Sequence, residues 1–188
     1  MKKKIIFLIF LLAINLVNAG YYDYNDVLLV SNNQSAISMN ISDYFFAQRS
    51  MVYRVNISVT EQETINFTTF NTSIRLPIEN YLNNNLINNI SYIVLTKGIP
   101  LRIENPSGSA CFASNHQCAS VDSELTLILS KYNTSIGLGG KVGNPYSGQE
   151  QRFSKQKYDI YLVTRLDGYQ NDTDNDGIPD DIKNLIDR

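Results

Sequence analysis

The amino-acid sequence predicts an α/β fold, a three-layer sandwich in which helices cover both faces of a mostly parallel sheet. Short apolar runs, typical of buried strands, alternate along the chain with segments in which apolar residues recur at helical spacing. The resulting order of strand, helix, strand, helix, strand, helix and strand is the one that parallel strands joined by crossover helices require. We expect residues 20–188 to form one such domain.

The first half of the chain supplies two strands and two helices. A continuous apolar run predicts a buried strand at residues 27–30, and alternating apolar and polar residues predict a second strand at residues 52–59. An amphipathic helix fits residues 35–49. Residues 60–63 (Thr-Glu-Gln-Glu) have the form of a capping box, which predicts a helix start. Pro77 is expected to kink or divide the helix that follows. The apolar face of that helix would consist of Phe67, Phe70, Ile74, Ile78 and Leu82.

The second half continues the alternation. Residues 90–96 form the most hydrophobic predicted strand, which ends at a Lys-Gly break, and residues 99–103 are expected to continue as an extended segment. A helix is predicted over residues 121–132, a fourth strand over residues 158–163 and a last short helix over residues 180–187.

The segments between these elements are predicted loops. Residues 104–119 contain both cysteines, and residues 132–155 are polar and rich in glycine. No strand precedes the glycines at 137–148, and no Gly-x-Gly-x-x-Gly or phosphate loop follows the first strand. Nucleotide binding therefore has no support in the sequence.

The N-terminus has the layout of a secretory signal peptide over residues 1–19. Lys2, Lys3 and Lys4 precede an apolar run at residues 5–17, and Val-Asn-Ala at 17–19 is a small-residue cleavage pattern. An uncleaved anchor is the alternative, but a bilayer-spanning helix needs about 20 apolar residues. We expect export to the periplasm, the cell surface or the medium, with no stable membrane anchor after cleavage.

Charge narrows the classes of partner. Three of the 16 basic residues lie in the predicted signal, so the mature chain has 13 basic residues against 18 acidic ones and a net charge near −5. No basic patch is present, which argues against nucleic acid as a partner. Asn-x-Ser/Thr triplets are frequent, as expected by chance in a chain rich in asparagine. Examples begin at Asn40, Asn56, Asn66, Asn71, Asn89, Asn133 and Asn171.

The two cysteines, Cys111 and Cys118, lie in one polar segment. In an oxidising compartment such a pair predicts a local disulfide. The alternative is a reactive thiol with His116, the one histidine of the chain, as its base. Nucleophile and base usually come from different elements held by a scaffold, which favours the disulfide.

The most specific motif is an acidic loop at residues 171–181. Asp172, Asp174 and Asp176 alternate, Gly177 permits a sharp turn, and two further carboxylates follow. Hard oxygen ligands at this spacing predict calcium. The expected ligands are Asp172, Asp174, Asp176, the Ile178 carbonyl, and Asp180 or Asp181 as the closing carboxylate.

An EF-hand closes with a glutamate at position 12, whereas this loop has Lys183 there when Asp172 is position 1. A modest affinity, on the order of 10⁻⁴ M or weaker, is therefore expected. A solvated acidic turn that favours the start of the last helix is the alternative.

Four segments together resemble an uncharacterised family of exported microbial proteins. They are residues 26–30, 92–103, 120–125 and 158–169. The resemblance covers residues 26–188 and implies that this chain corresponds to the N-terminal half of proteins about twice its length. The acidic loop is similar to those of thrombospondin type 3 repeats and stands as an insertion relative to the family.

That family is distantly similar to the caspase-like and gingipain-like fold, a Rossmann-like α/β topology, which implies a peptidase-like hydrolase as the second hypothesis. In such enzymes a histidine follows one sheet strand and a cysteine the next. Here Lys97-Gly98 and Thr164-Arg165 stand at those positions, so this chain lacks the catalytic pair. A ligand would meet the carboxyl edge of the sheet. The candidate residues there are Asn32, Thr96, Lys97, Thr164, Arg165 and Asp167, with Asp122 and Glu124 nearby.

Overall fold

The computed structural model describes residues 24–49, 51–84, 89–104, 119–131, 143–169 and 171–188, and the structural statements below concern these residues. The strands are β1 (Tyr24–Asn32), β2 (Met51–Ile57), β3 (Thr64–Ile65), β4 (Tyr92–Thr96), β5 (Arg102–Ile103), β6 (Ala119–Ser120) and β7 (Leu162–Leu166). A four-stranded parallel sheet has the order β2-β1-β4-β7. A small mixed sheet pairs β3 in parallel and β6 antiparallel with β5.

Helices lie on both faces of the four-stranded sheet. They are α1 (Ala36–Gln48), α2 (Phe67–Thr69), α3 (Leu76–Asn84), α4 (Val121–Thr126), α5 (Lys155–Tyr158) and α6 (Asp180–Ile186). A π-helical stretch, Phe70–Arg75, joins α2 to α3. The predicted α/β sandwich with a mostly parallel sheet is confirmed. Among the described residues, no helix has the length and apolar character needed to span a bilayer.

Alternate residues of β1 point into two cores, which explains its continuous apolar run. Leu28 and Val30 pack with residues of α3 and α4, including Ile78 and Leu125. Val27 and Leu29 face the opposite side, toward α1 and α6. We call this second group the α6-side core. Its members are Val27, Leu29, Ile41, Phe45, Val94, Leu166, Ile178, Ile182 and Ile186.

Several elements match the sequence prediction closely. The strands predicted at 27–30, 52–59 and 90–96 are present as β1, β2 and β4, with ends shifted by at most three residues. Helix α1 begins after Ser35, whose hydroxyl accepts a hydrogen bond from the Ser38 N–H. The last predicted helix is α6.

The predicted capping box at residues 60–63 is wrong. The Glu63 carbonyl accepts hydrogen bonds from the N–H groups of Leu101 and Arg102, and its carboxylate pairs with Arg102 at 2.9 Å. Glu63 therefore bonds to the chain at β5 and does not cap a helix. Asn66 caps α2 instead, with its side-chain oxygen 2.8 Å from the Thr69 nitrogen. Pro77, which lacks an N–H, follows directly after the π-helical stretch and Leu76.

Two other boundaries differ. The helix predicted at 121–132 ends at Thr126, since Leu127 and Ile128 donate to carbonyls only three residues back. Residues 155–158 are helical and end at Asp159, whose φ of +57° is left-handed, so the fourth strand begins only at Leu162. The misleading apolar signal came from side chains buried in an aromatic cluster. That cluster contains Phe153, Tyr158 and Ile160.

Candidate metal centre

The carboxylates of Asp172, Asp174 and Asp176 converge in the acidic loop. One oxygen from each lies within 4.8 Å of the others, with Asp172 half-buried and the other two exposed. Calcium binds its oxygens at about 2.5 Å, so two oxygens about 5 Å apart can share one ion. The alternating carboxylates can therefore hold a metal ion between them.

Asp172 organises the backbone of the loop. Its two oxygens accept hydrogen bonds from the N–H groups of Asp176 at 3.1 Å and Gly177 at 2.6 Å. Asn175 has a φ of +59° and Gly177 a φ of +84°, so the chain turns sharply around the carboxylates. A Cβ on Gly177 would lie 2.3 Å from the side-chain nitrogen of Asn40 on α1, and glycine permits this close approach.

The other predicted carboxylate ligands, Asp180 and Asp181, accept hydrogen bonds from residues near the start of the loop. Asp180 accepts hydrogen bonds from the N–H and hydroxyl of Thr173 at 3.3 and 2.9 Å. Asp181 accepts from the Tyr169 N–H at 3.0 Å and also from the N–H of the next residue. The Ile178 side chain is buried in the α6-side core. A ligand role for Asp180, Asp181 or the Ile178 carbonyl stays a prediction.

Lys183, in α6, reaches back into the loop. Its Nζ lies 2.5 Å from an oxygen of Asp174 and 2.5 Å from an oxygen of Asp176. The hydrogen bonds to these carboxylates raise the pKa of Lys183, and the bond from Lys183 lowers the pKa of Asp174. The sequence shows that a lysine occupies the position of the closing glutamate of an EF-hand. It does not predict that this lysine contacts Asp174 and Asp176.

The carboxyl edge of the sheet, where the second hypothesis places a ligand, is tied together by buried polar side chains. Asn32 donates 2.8 Å hydrogen bonds to the carbonyl oxygens of Val59 and Gly98. The hydroxyls of Ser38 and Thr96 are 2.5 Å apart. A Cβ on Gly98 would lie 2.3 Å from the Ser35 Oγ, so the turn after β4 packs directly on the start of α1.

Two charged residues of this edge, Arg165 and Lys97, form hydrogen bonds within the protein. Arg165 donates to Asp122, with a shortest N–O distance of 2.6 Å, and to the carbonyl oxygens of Ile99 and Pro100 at 2.7 and 2.8 Å. The Lys97 Nζ donates to the Gly168 carbonyl at 2.5 Å.

The prediction that Thr164 and Arg165 follow a strand is wrong, because both residues lie within β7. Thr164 is exposed. Asp167 is half-buried just after β7, and Glu124 lies in α4.

Three predictions fall outside the described residues. They concern the signal segment at residues 1–19, the disulfide between Cys111 and Cys118, and the alternative role of His116.

No protein-family model, curated protein or solved structure was found to match the chain. The family resemblance therefore depends on the four quoted segments.

Proposed function

We propose that this chain is an exported protein whose acidic loop binds calcium, and that the ion braces α6 against the sheet in an extracellular scaffold or surface role. The observation that carries the proposal is the convergence of Asp172, Asp174 and Asp176 within 4.8 Å. Asp172 is held by backbone amides, so part of this geometry exists before an ion arrives.

Calcium suits this loop better than magnesium does. All expected ligands are oxygens, and they come from an irregular backbone that does not impose octahedral geometry. Magnesium requires near-ideal octahedral coordination at about 2.1 Å, whereas calcium accepts six to eight oxygens in flexible arrangements. Two of the three carboxylates are exposed, so water would complete the coordination.

The contacts of the loop indicate what a bound ion would stabilise. Asn40 of α1 donates to the Asp176 carbonyl at 3.4 Å, and Ile178 of the loop is buried beside α1. Beyond the loop, Tyr44 donates to Asp187 at 2.7 Å and Arg49 donates to the Ile186 carbonyl. An ion that fixes the loop would therefore hold α6 in place over the α6-side core.

The export half of the proposal depends on the basic and apolar segments at residues 2–17. Extracellular calcium modules bind with dissociation constants of about 10⁻⁴ to 10⁻³ M. A loop without a closing glutamate fits that range, and in the cytosol it would stay unloaded.

The second function considered, a caspase-like or gingipain-like hydrolase, receives no support from the described carboxyl edge. Asn32, Thr96 and Arg165 are bonded to backbone or to neighbouring side chains. These bonds give the residues structural roles.

Calorimetry on the chain from Gly20 onward tests the calcium site directly. The parent should show saturable calcium binding, with weaker binding of magnesium. The double variant Asp174→Asn and Asp176→Asn should abolish calcium binding because it removes two of the three converging carboxylates. Glu61→Gln combined with Glu150→Gln is the matched control, since it removes two exposed acidic charges that lie outside the acidic loop.

The outcomes separate a site from a general charge effect. Binding by the parent and the control, but not by the double Asp variant, supports the proposal. Equal binding by all three proteins would place the ion elsewhere, and no binding by the parent would overturn calcium as the ligand. Thermal unfolding in the same buffers should show that calcium raises the melting temperature of the parent and of the control alone.

A further inference from the structure

The ammonium group of Lys183 lies in the acidic loop at the distances expected of a bound ion. Its nitrogen is 2.5 Å from oxygens of both Asp174 and Asp176. Calcium lies about 2.3–2.6 Å from its oxygen ligands. The ammonium group therefore occupies a position from which a calcium ion could contact these two oxygens, and two cations this close together would repel each other.

Lys183 is held in this position by its surroundings. Its side chain is only 17% exposed, although lysine side chains are usually well exposed, whereas the Asp174 and Asp176 side chains are 59% and 40% exposed. The lysine is carried by α6, whose residues Ile182 and Ile186 are buried in the α6-side core. The docked helix thus delivers the ammonium group to the loop.

The three converging carboxylates differ in what they bind. Asp172 accepts hydrogen bonds from backbone amides, and Asp176 uses its second oxygen to accept from the Ile178 N–H at 3.0 Å. Asp174 and Asp176 each direct one oxygen at Lys183. A position that carries an anionic closing ligand in an EF-hand here carries a cation.

We infer that Lys183 is the resident cation of the acidic loop and that calcium binds by displacing its ammonium group. This inference rests on the calcium-binding function proposed above. In the ion-free chain, Lys183 offsets part of the carboxylate repulsion and ties the loop to α6. Because the ammonium group holds the carboxylates together, the loop stays formed at low calcium. Because calcium must first displace that group, the affinity of the loop for calcium is lowered.

Four variants of the chain from Gly20 onward test this exchange by calorimetry. Lys183→Gln removes the charge, Lys183→Met also keeps an aliphatic stem, and Lys183→Arg keeps a cation. Lys157→Gln is the control for net charge, since its Nζ contacts Gln151 and not the loop. The two neutral Lys183 variants should bind calcium about tenfold more tightly than the parent, and the other two within about threefold of it.

Thermal unfolding in excess EDTA provides the second readout. Without calcium, the neutral Lys183 variants should melt at a lower temperature than the parent because the three carboxylates have lost their counter-charge. Saturating calcium should remove most of that difference. The stabilisation by calcium should therefore be larger in the variants than in the parent.

The results separate this inference from the proposed function. If the parent binds calcium and the neutral variants, shown to be folded, bind it equally or more weakly, the exchange is wrong and calcium binding stands. Binding by the neutral variants alone would support the exchange but overturn calcium binding by the natural chain. No binding by any of the proteins would overturn both.

Discussion

The side-chain amide of Asn32 donates a 2.8 Å hydrogen bond to the carbonyl oxygen of Gly98 and thereby ties the end of β1 to the turn after β4. The same amide donates to the Val59 carbonyl beyond β2, and the Asn32 oxygen accepts from the Val59 N–H at 3.2 Å. One fully buried side chain thus links three neighbouring strands at their carboxyl ends.

Replacing this amide should be costly. Asn32→Asp keeps the shape of the side chain but replaces the NH₂ group, which donates to two carbonyl oxygens, with a carboxylate oxygen. We expect this change to lower the free energy of unfolding by about 3 kcal/mol. Urea denaturation measures the change. Asn33→Asp, at the exposed next position, should stay within about 0.5 kcal/mol. Equal losses in the two variants would contradict the structural role of Asn32.

Two glycines separate backbone strain from steric contact. Gly148 has a φ of +72° with open space around a built Cβ, whereas Gly177 has a φ of +84° and an Asn40 nitrogen at 2.3 Å. Gly148→Ala should therefore cost about 1 kcal/mol, and Gly177→Ala more. In an Asn40→Ala background, which removes the contact, Gly177→Ala should cost only about 1 kcal/mol, as measured by urea denaturation. A larger cost of Gly177→Ala in that background would show that contact with Asn40 is not the cause.

Arg165 should be the most sensitive charged residue of the described sheet. Its side chain is 10% exposed and it binds Asp122 as well as two backbone carbonyls. Arg165→Met should cost about 3 kcal/mol because a half-buried carboxylate and two carbonyls lose their donor. Arg165→Lys should recover little, since one ammonium group cannot reproduce the planar fork. Arg152→Met, at a 76% exposed partner of Asp26, is the control and should cost under about 1 kcal/mol.

Alkaline pH should destabilise the fold through Tyr161. Burial raises the pKa of Tyr161 to about 12, and the charge of Asp159 adds to the rise. The unfolded phenol has a pKa of about 10, so the folded state holds this proton more tightly. The stabilisation that the protonated Tyr161 adds to the free energy of unfolding is complete below about pH 10, and it is lost as the pH rises through 12. Tyr161→Phe should lose less stability than the parent between these pH values, whereas Tyr169→Phe, at an 88% exposed side chain, should behave like the parent.

The sequence was most informative where a residue's role depends on its immediate neighbours. Val27 to Val30 are apolar because both faces of β1 are covered, and the alternation of Asp172, Asp174 and Asp176 follows from their convergence on one point. Such patterns are local, so they can be recognised in one sequence.

Features that depend on distant partners were missed. Tyr158 and Ile160 read as a strand, but Tyr158 stacks on Phe153 with ring centroids 5.6 Å apart. Glu63 was interpreted as part of a helix cap, but its carboxylate pairs with Arg102, which lies on β5. The Asn32 contacts with Val59 and Gly98 likewise require the folded sheet. No local pattern encodes these contacts, because they join segments that are far apart in the chain.

The contacts between α1 and the end of the chain also determine when one side of the sheet can fold. Asn40 bonds with Asp176, Tyr44 with Asp187 and Arg49 with Ile186, at sequence separations of 136, 143 and 137 residues. Contacts this distant form slowly because a long loop must close first. Val27 and Leu29 therefore stay partly uncovered throughout synthesis until α6 has emerged. A nascent chain is thus exposed to aggregation over this apolar face during that interval.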